Sequence, residues 1–135
     1  MNSLYPVLCS DDVAVARDFY VGLLGLRVVF EADWYVQLQS PTNERLQLGI
    51  VQRGHASVPA EARQRPGGIF VTIEVDDVDA VHRHAEALGL DMAYALRDEP
   101  WGQRHFMVAD PEGLLVDIVT MIPPATNFAE AGEPV

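Results

Sequence analysis

Asp11-Asp12-Val13-Ala14-Val15-Ala16-Arg17-Asp18-Phe19-Tyr20-Val21-Gly22-Leu23-Leu24-Gly25-Leu26 decides the fold, because its pattern returns later in the chain. Asp11-Asp12 offers carboxylates that cap the free N–H groups of a helix start. Val13, Ala16, Phe19, Tyr20, Leu23 and Leu24 recur at three- and four-residue spacing, which predicts one apolar helix face. Gly25 is the expected stop. Asp76-Asp77-Val78 follows 65 residues after Asp11-Asp12-Val13, with Val81, Ala85 and Leu88 on one face, and Gly89-Leu90 follows Gly25-Leu26 at an offset of 64.

Strand-like runs surround both helices. Residues 4–9 precede the first, and Pro6 makes that run an edge, a bulge or a segment free to pair elsewhere. Runs at 26–31, 34–39 and 45–51 follow, with Ser40-Pro41-Thr42-Asn43 as a turn. The polar stretch 52–68, with Gly54, Pro59, Pro66, Gly67 and Gly68, reads as a linker. Runs at 69–75, 91–96, 103–109 and 114–120 complete a second half, with Asp110-Pro111-Glu112-Gly113 as its turn. Ser40-Pro41 precedes Asp110-Pro111 by 70 residues, and that offset carried forward places Gln47 on Asp117. Residues 122–135, with Pro123, Pro124 and Pro134, read as a flexible tail. The expected architecture is α+β: two βαβββ modules, 1–51 and 69–121, form a curved mixed sheet with helices on one face of a single domain.

Composition narrows the function. The chain has 135 residues, 49% hydrophobic, and a formal charge of −11, so it is one ordinary globular domain. Nucleic acid and anionic membranes are excluded as partners, since both require cations that this chain lacks. All nine basic residues are Arg, which rules out a lysine Schiff base and a P-loop lysine. The acidity suits a cationic or neutral small molecule, or serves solubility alone. Cys9 is the only cysteine, so no intramolecular disulfide forms, and its apolar surroundings favour an inert buried thiol over a nucleophile. No signal-peptide pattern and no spanning apolar run are present, so a cytoplasmic protein is expected.

Alternation along the strands leaves Tyr5, Val7 and Cys9, then Arg45, Gln47 and Gly49, then Phe70, Thr72 and Glu74, then Leu115, Asp117 and Val119 on the side away from the helices. Such a mixed polar and aromatic face suits a ligand groove, or else an exposed sheet or dimer surface.

The order Asp12-Val13, Asp18-Phe19-Tyr20, Leu23-Leu24-Gly25-Leu26, Glu74-Val75-Asp76-Asp77-Val78, Glu99-Pro100-Trp101-Gly102-Gln103-Arg104 and Asp110-Pro111-Glu112-Gly113-Leu114-Leu115-Val116-Asp117 resembles the vicinal oxygen chelate superfamily. That superfamily includes glyoxalase I, extradiol dioxygenases, fosfomycin-resistance enzymes and bleomycin-resistance proteins. The resemblance implies a divalent-metal site at Tyr5, Gln47, Phe70 and Asp117. Phe70 has no donor atom, and a neutral phenol and an amide are weak donors, so no metal and no cofactor is expected here. His55 falls in the linker, His82 and His84 read as solvated, and only His105 is placed to face the groove. The chain is closest in character to the metal-free drug-sequestering branch, in which a first-strand proline such as Pro6 accompanies strand exchange between two subunits. Trp101 is similar in place to an indole that stacks on planar drug rings, and Trp34 offers a second wall; the alternative is that both are core or interface residues. The resulting expectation is a homodimer that sequesters an antibiotic or aromatic metabolite, aromatic or cationic. Its groove would be lined by Phe30, Trp34, Gln37, Gln47, Phe70, Trp101, His105 and Asp117, with no catalytic residue. The alternative is a metal-dependent lyase, isomerase or dioxygenase of the same fold using Gln47, Asp117 and His105.

Overall fold

Both helices begin where a carboxylate is available to cap them. In the computed structural model, which describes residues 1–126, Asp12 accepts the Val15 N–H at 3.2 Å and starts α1 (Val13–Leu24). Asp77 accepts the Ala80 N–H at 3.1 Å and starts α2 (Val78–Ala87). Gly25 ends α1 with φ 66°, a left-handed backbone that glycine adopts without strain.

The α+β class and the repeated βαβββ module are both present. The eight strands are hydrogen-bonded as two four-stranded mixed sheets, one per module. The first holds β1 (Val7–Ser10), β2 (Arg27–Glu31), β3 (Tyr35–Gln39) and β4 (Gln47–Gln52) in the order β1-β4-β3-β2. The second holds β5 (Phe70–Glu74), β6 (Met92–Glu99), β7 (Gln103–Ala109) and β8 (Leu115–Met121) in the order β5-β8-β7-β6. Two compact units result: Met1–Gly68 with Asp110–Leu114, and Ile69–Ala109 with the chain from Leu115 onward. In the first, Val13, Ala16, Tyr20 and Leu23 of α1 are buried along with Val36, Leu38, Leu48 and Ile50 of the sheet. In the second, Val78 and Ala85 of α2 are buried along with Phe106, Val108, Val116 and Ile118. His82 belongs to that packing and is not solvated as expected: its ring meets Phe106 edge-on at 5.0 Å.

Pro6 lies just before β1, an edge strand, where its missing N–H costs no ladder bond; its carbonyl accepts the Gly49 N–H at 2.9 Å. The ladders correct the internal alignment. Val7 lies opposite Gly49, and Thr72, 65 residues on from Val7, lies opposite Asp117. Asp117 therefore matches Gly49, not Gln47. The turn between β3 and β4 is two residues longer than that between β7 and β8, since Gln39 pairs with Gln47 but Ala109 with Leu115. The offset drops from 70 to 68 across it.

The stretch 52–68 is packed into the first unit. Arg53 donates to the carboxylates of Asp11, at 2.8 Å, and Glu112, and to the carbonyls of Cys9, Arg63 and Gln64. Asp110 folds its own turn by accepting the Glu112 and Leu114 N–H groups, both at 2.9 Å, and takes the Tyr20 hydroxyl at 2.6 Å. Beyond β8, Ile122 and Ala125 donate to the carbonyls of Gly102 and Pro100; the rest of the expected tail, from 127, lies outside the described residues. No helix among the described residues is long and apolar enough to cross a membrane.

Burial, reinforced by the Asp110 carboxylate, pushes the Tyr20 phenol well above its ordinary value, so it stays a donor. Tyr20→Phe leaves one oxygen of a buried Asp110 without its donor and should cost about 1–3 kcal/mol of stability, measurable by urea denaturation. An unchanged midpoint would show that the turn holds without this bond.

Candidate functional site

In the first unit the sheet face away from α1 is largely apolar. Val7 and Cys9 of β1, Phe30 of β2, Tyr35 of β3 and Val51 of β4 line a cavity of about 520 Å³ together with Trp34. That size is typical of small-molecule sites. Ser57, Val58, Pro59 and Ala62 from the returning segment form the other wall. The aromatic groups brace one another. Trp34 stacks on His55 with centroids 3.9 Å apart and planes 10° from parallel, and Tyr35 sits 5.5 Å from Trp34 and 6.3 Å from Phe30. Gly49 makes room for this arrangement, because a Cβ there would collide with the Tyr35 phenol oxygen.

A short polar chain leads away from the cavity. Tyr35 donates to the Gln37 Oε1, Gln37 donates to the Gln47 Oε1 at 2.6 Å, and Gln47 donates to the Glu44 carbonyl at 2.7 Å. The structure thus joins Phe30 to Trp34 around one cavity, and Gln37 to Gln47 through one hydrogen bond.

The same face of the second unit is built differently. His105 is 4% exposed and lies between two carboxylates, with Nδ1 2.6 Å from Asp117 and Nε2 2.9 Å from Glu99. Thr72 donates to the other Asp117 oxygen at 2.9 Å, and Arg97 donates to Glu99 at 3.0 Å. Burial alone would lower the His105 value, but the hydrogen bonds to Glu99 and Asp117 outweigh it and hold it above its ordinary 6.5. Burial would likewise raise Glu99, yet its bonds to His105 and Arg97 hold it below its ordinary 4.5. Phe70 stands exposed on the edge strand β5. Trp101 is half-buried in the β6–β7 turn, its indole N–H donating to Gln103 at 2.8 Å.

These residues do not fit a divalent metal. Phe70 offers no donor, Gln47 is committed to Gln37 and Glu44, and both Asp117 oxygens are taken by His105 and Thr72. Among the described residues, no group of three or more His, Cys, Asp or Glu is arranged to hold a metal ion. Sequence reasoning missed Tyr35, Val51 and the wall at 57–62, and assigned no role to Glu99. Tyr35 lies two residues from Gln37 and Val51 two from Gly49, so alternation carried outward from either reaches them; the wall carries no periodic signal.

The linkage signs of the cluster are opposite. Glu99, lowered on folding, stabilises above about 4.5, and that contribution is lost as pH falls through its folded value. His105, raised on folding, stabilises below about 6.5, and its contribution is lost as pH rises through its folded value. Denaturation at stepped pH should therefore show greatest support from this cluster between those two values and an alkaline decline that His105→Gln removes. An alkaline limb identical in the variant would contradict this assignment.

Comparison with known proteins agrees with this geometry. The Glyoxalase/Bleomycin resistance protein/Dioxygenase superfamily profile matches residues 4–118. An uncharacterized protein of Mycobacterium tuberculosis (strain ATCC 25618 / H37Rv) is 32% identical over 124 residues, covering 82% of this chain and 69% of that protein. The bleomycin resistance protein of Geobacillus stearothermophilus is 28% identical over 127 residues, covering 87% and 95%. Among solved structures, lactoylglutathione lyase from Agrobacterium tumefaciens shares the fold with a TM-score of 0.69 at 22% identity, covering 89% of this chain and 94% of that one. The chain, its repeated βαβββ module and its motif order belong to the glyoxalase/bleomycin resistance protein/dioxygenase superfamily.

Proposed function

We propose that the protein binds an aromatic small molecule, an antibiotic or aromatic metabolite, and sequesters it without a metal. The observation that carries this reading is the cavity of the first unit, walled by Phe30, Trp34 and Tyr35. Aromatic rings prefer offset or edge-on neighbours, which adds about 0.5–1.5 kcal/mol per pair to burial. Two of its polar side chains are held locally: the Cys9 thiol donates to the Ala62 carbonyl at 3.1 Å, and His55 Nδ1 meets both the Ser57 hydroxyl at 2.8 Å and the Ser57 N–H at 3.1 Å, as in a tight turn. Similarity to a bleomycin resistance protein at 28% identity supports sequestration as the mode. Phe30 and Trp34 are the contact residues of this reading. Gln37 and Gln47 act through Tyr35, while Phe70, Trp101, His105 and Asp117 serve the second unit.

The reading includes a homodimer, with exchange of the first strand at Pro6. Leu4, Tyr5 and Val7 around that proline are exposed, as are Phe30, Ile69 and Phe70, and apolar surface of this extent suits a partner copy. Light scattering should give the mass of two chains; a single-chain mass at all concentrations would contradict the dimer.

Binding of a fluorescent fused-ring compound should be unchanged by EDTA and weakened about tenfold or more by Trp34→Ala. Binding that vanishes in EDTA and returns with zinc or manganese would overturn the metal-free reading.

A further inference from the structure

We propose that the first-unit cavity selects an uncharged ligand, an inference that rests on reading this cavity as the binding site. None of its ten lining residues carries a formal charge. Cys9, Trp34, Tyr35 and Ser57 bring polar side-chain atoms, all neutral; those of Cys9, Tyr35 and Ser57 are already bonded within the unit, to the Ala62 carbonyl, to Gln37 and to His55 respectively, and Trp34 adds an indole N–H donor. An ion entering such a cavity would lose its hydration and find no counter-charge, the costliest form of burial.

Acidic groups near the cavity stand outside its lining, and several are paired. Glu31, next to Phe30, pairs with Arg17, and Arg53, which anchors the returning wall, pairs with Asp11 and Glu112. Asp117, the acidic residue that the sequence placed in a groove, is 4% exposed and bonded to His105 and Thr72 in the second unit.

Two neutral polar features of a ligand can still be met, an acceptor by the Trp34 indole N–H and a donor by Tyr35. The Tyr35 hydroxyl donates to Gln37, so its lone pairs remain available to accept. The ligand class is therefore a neutral fused-ring compound carrying at most one hydroxyl or N–H donor. Of the cationic and neutral ligands that the acidic composition leaves open, the lining favours the neutral.

Three compounds with one ring system test it: naphthol, naphthylmethylammonium and naphthoate, titrated calorimetrically into the whole protein at neutral pH. Naphthol should bind at least about tenfold tighter than either ion, with little change between low and high salt. Trp34→Ala should weaken naphthol about tenfold, fixing the cavity as the place of binding. Equal or tighter binding of the ammonium, declining with salt, would overturn the neutral selection and leave metal-free aromatic binding intact. Naphthol affinity unchanged in Trp34→Ala would overturn the assignment to this cavity. No binding by any of the three would overturn the cavity reading together with the selection.

Discussion

The guanidinium of Arg53 is the interaction on which the first unit's cavity depends. A planar fork of five N–H donors can satisfy several acceptors at once. Here it reaches the carboxylates of Asp11 and Glu112 and three backbone carbonyls, at Cys9, Arg63 and Gln64. Those acceptors come from the end of β1, from the Asp110–Leu114 turn and from the segment returning after β4. The Arg53 and Glu112 side chains are 16% and 9% exposed, so their pair is formed largely out of water, where it counts for more. Because Arg53 gathers these acceptors, Val58, Pro59 and Ala62 stand as a wall opposite the sheet, and an open face becomes a cavity.

The two modules share one architecture and diverge at three matched positions. Val7, Gly49 and Tyr35 of the first correspond to Thr72, Asp117 and His105 of the second. With glycine at the middle position, the Tyr35 phenol lies over Gly49 of β4 and the residue lines the cavity. With aspartate there, the position becomes the centre of a buried hydrogen-bonded cluster that draws in His105, Thr72 and, through His105, Glu99. One substitution pattern thus yields a ligand-sized space in one unit and a filled polar core in the other. The filled core also uses the donor atoms that a metal would require.

Much of this was legible in the sequence. Both helices follow from Asp caps, a three–four apolar spacing and glycine stops, which are local rules satisfied within one segment. The strand faces follow from alternation, which puts Val7 and Cys9 on the side away from the helices, whereas Phe30 and Trp34 enter the expected groove only with the family resemblance. The turn lengths were not legible, because Ser40-Pro41 and Asp110-Pro111 look alike while their loops differ by two residues; only the ladder registers place Gly49 on Asp117. The wall at 57–62 was not legible either. It has no period, and its position follows from side-chain bonds of Arg53 to residues as distant in sequence as Glu112. Acidic composition left cationic and neutral ligands both open because it counts charges without their partners, and Asp11, Glu31 and Glu112 are all paired with arginines.

The central claim is that recognition occurs on the first unit's aromatic wall and needs no metal. Backbone amide shifts recorded while naphthol is added in the presence of EDTA test it most directly. The account predicts that the perturbed amides cluster at Cys9, Trp34, Tyr35, Val58 and Ala62. Perturbations centred instead on Thr72, His105 and Asp117, or appearing only after a divalent metal is supplied, would contradict it.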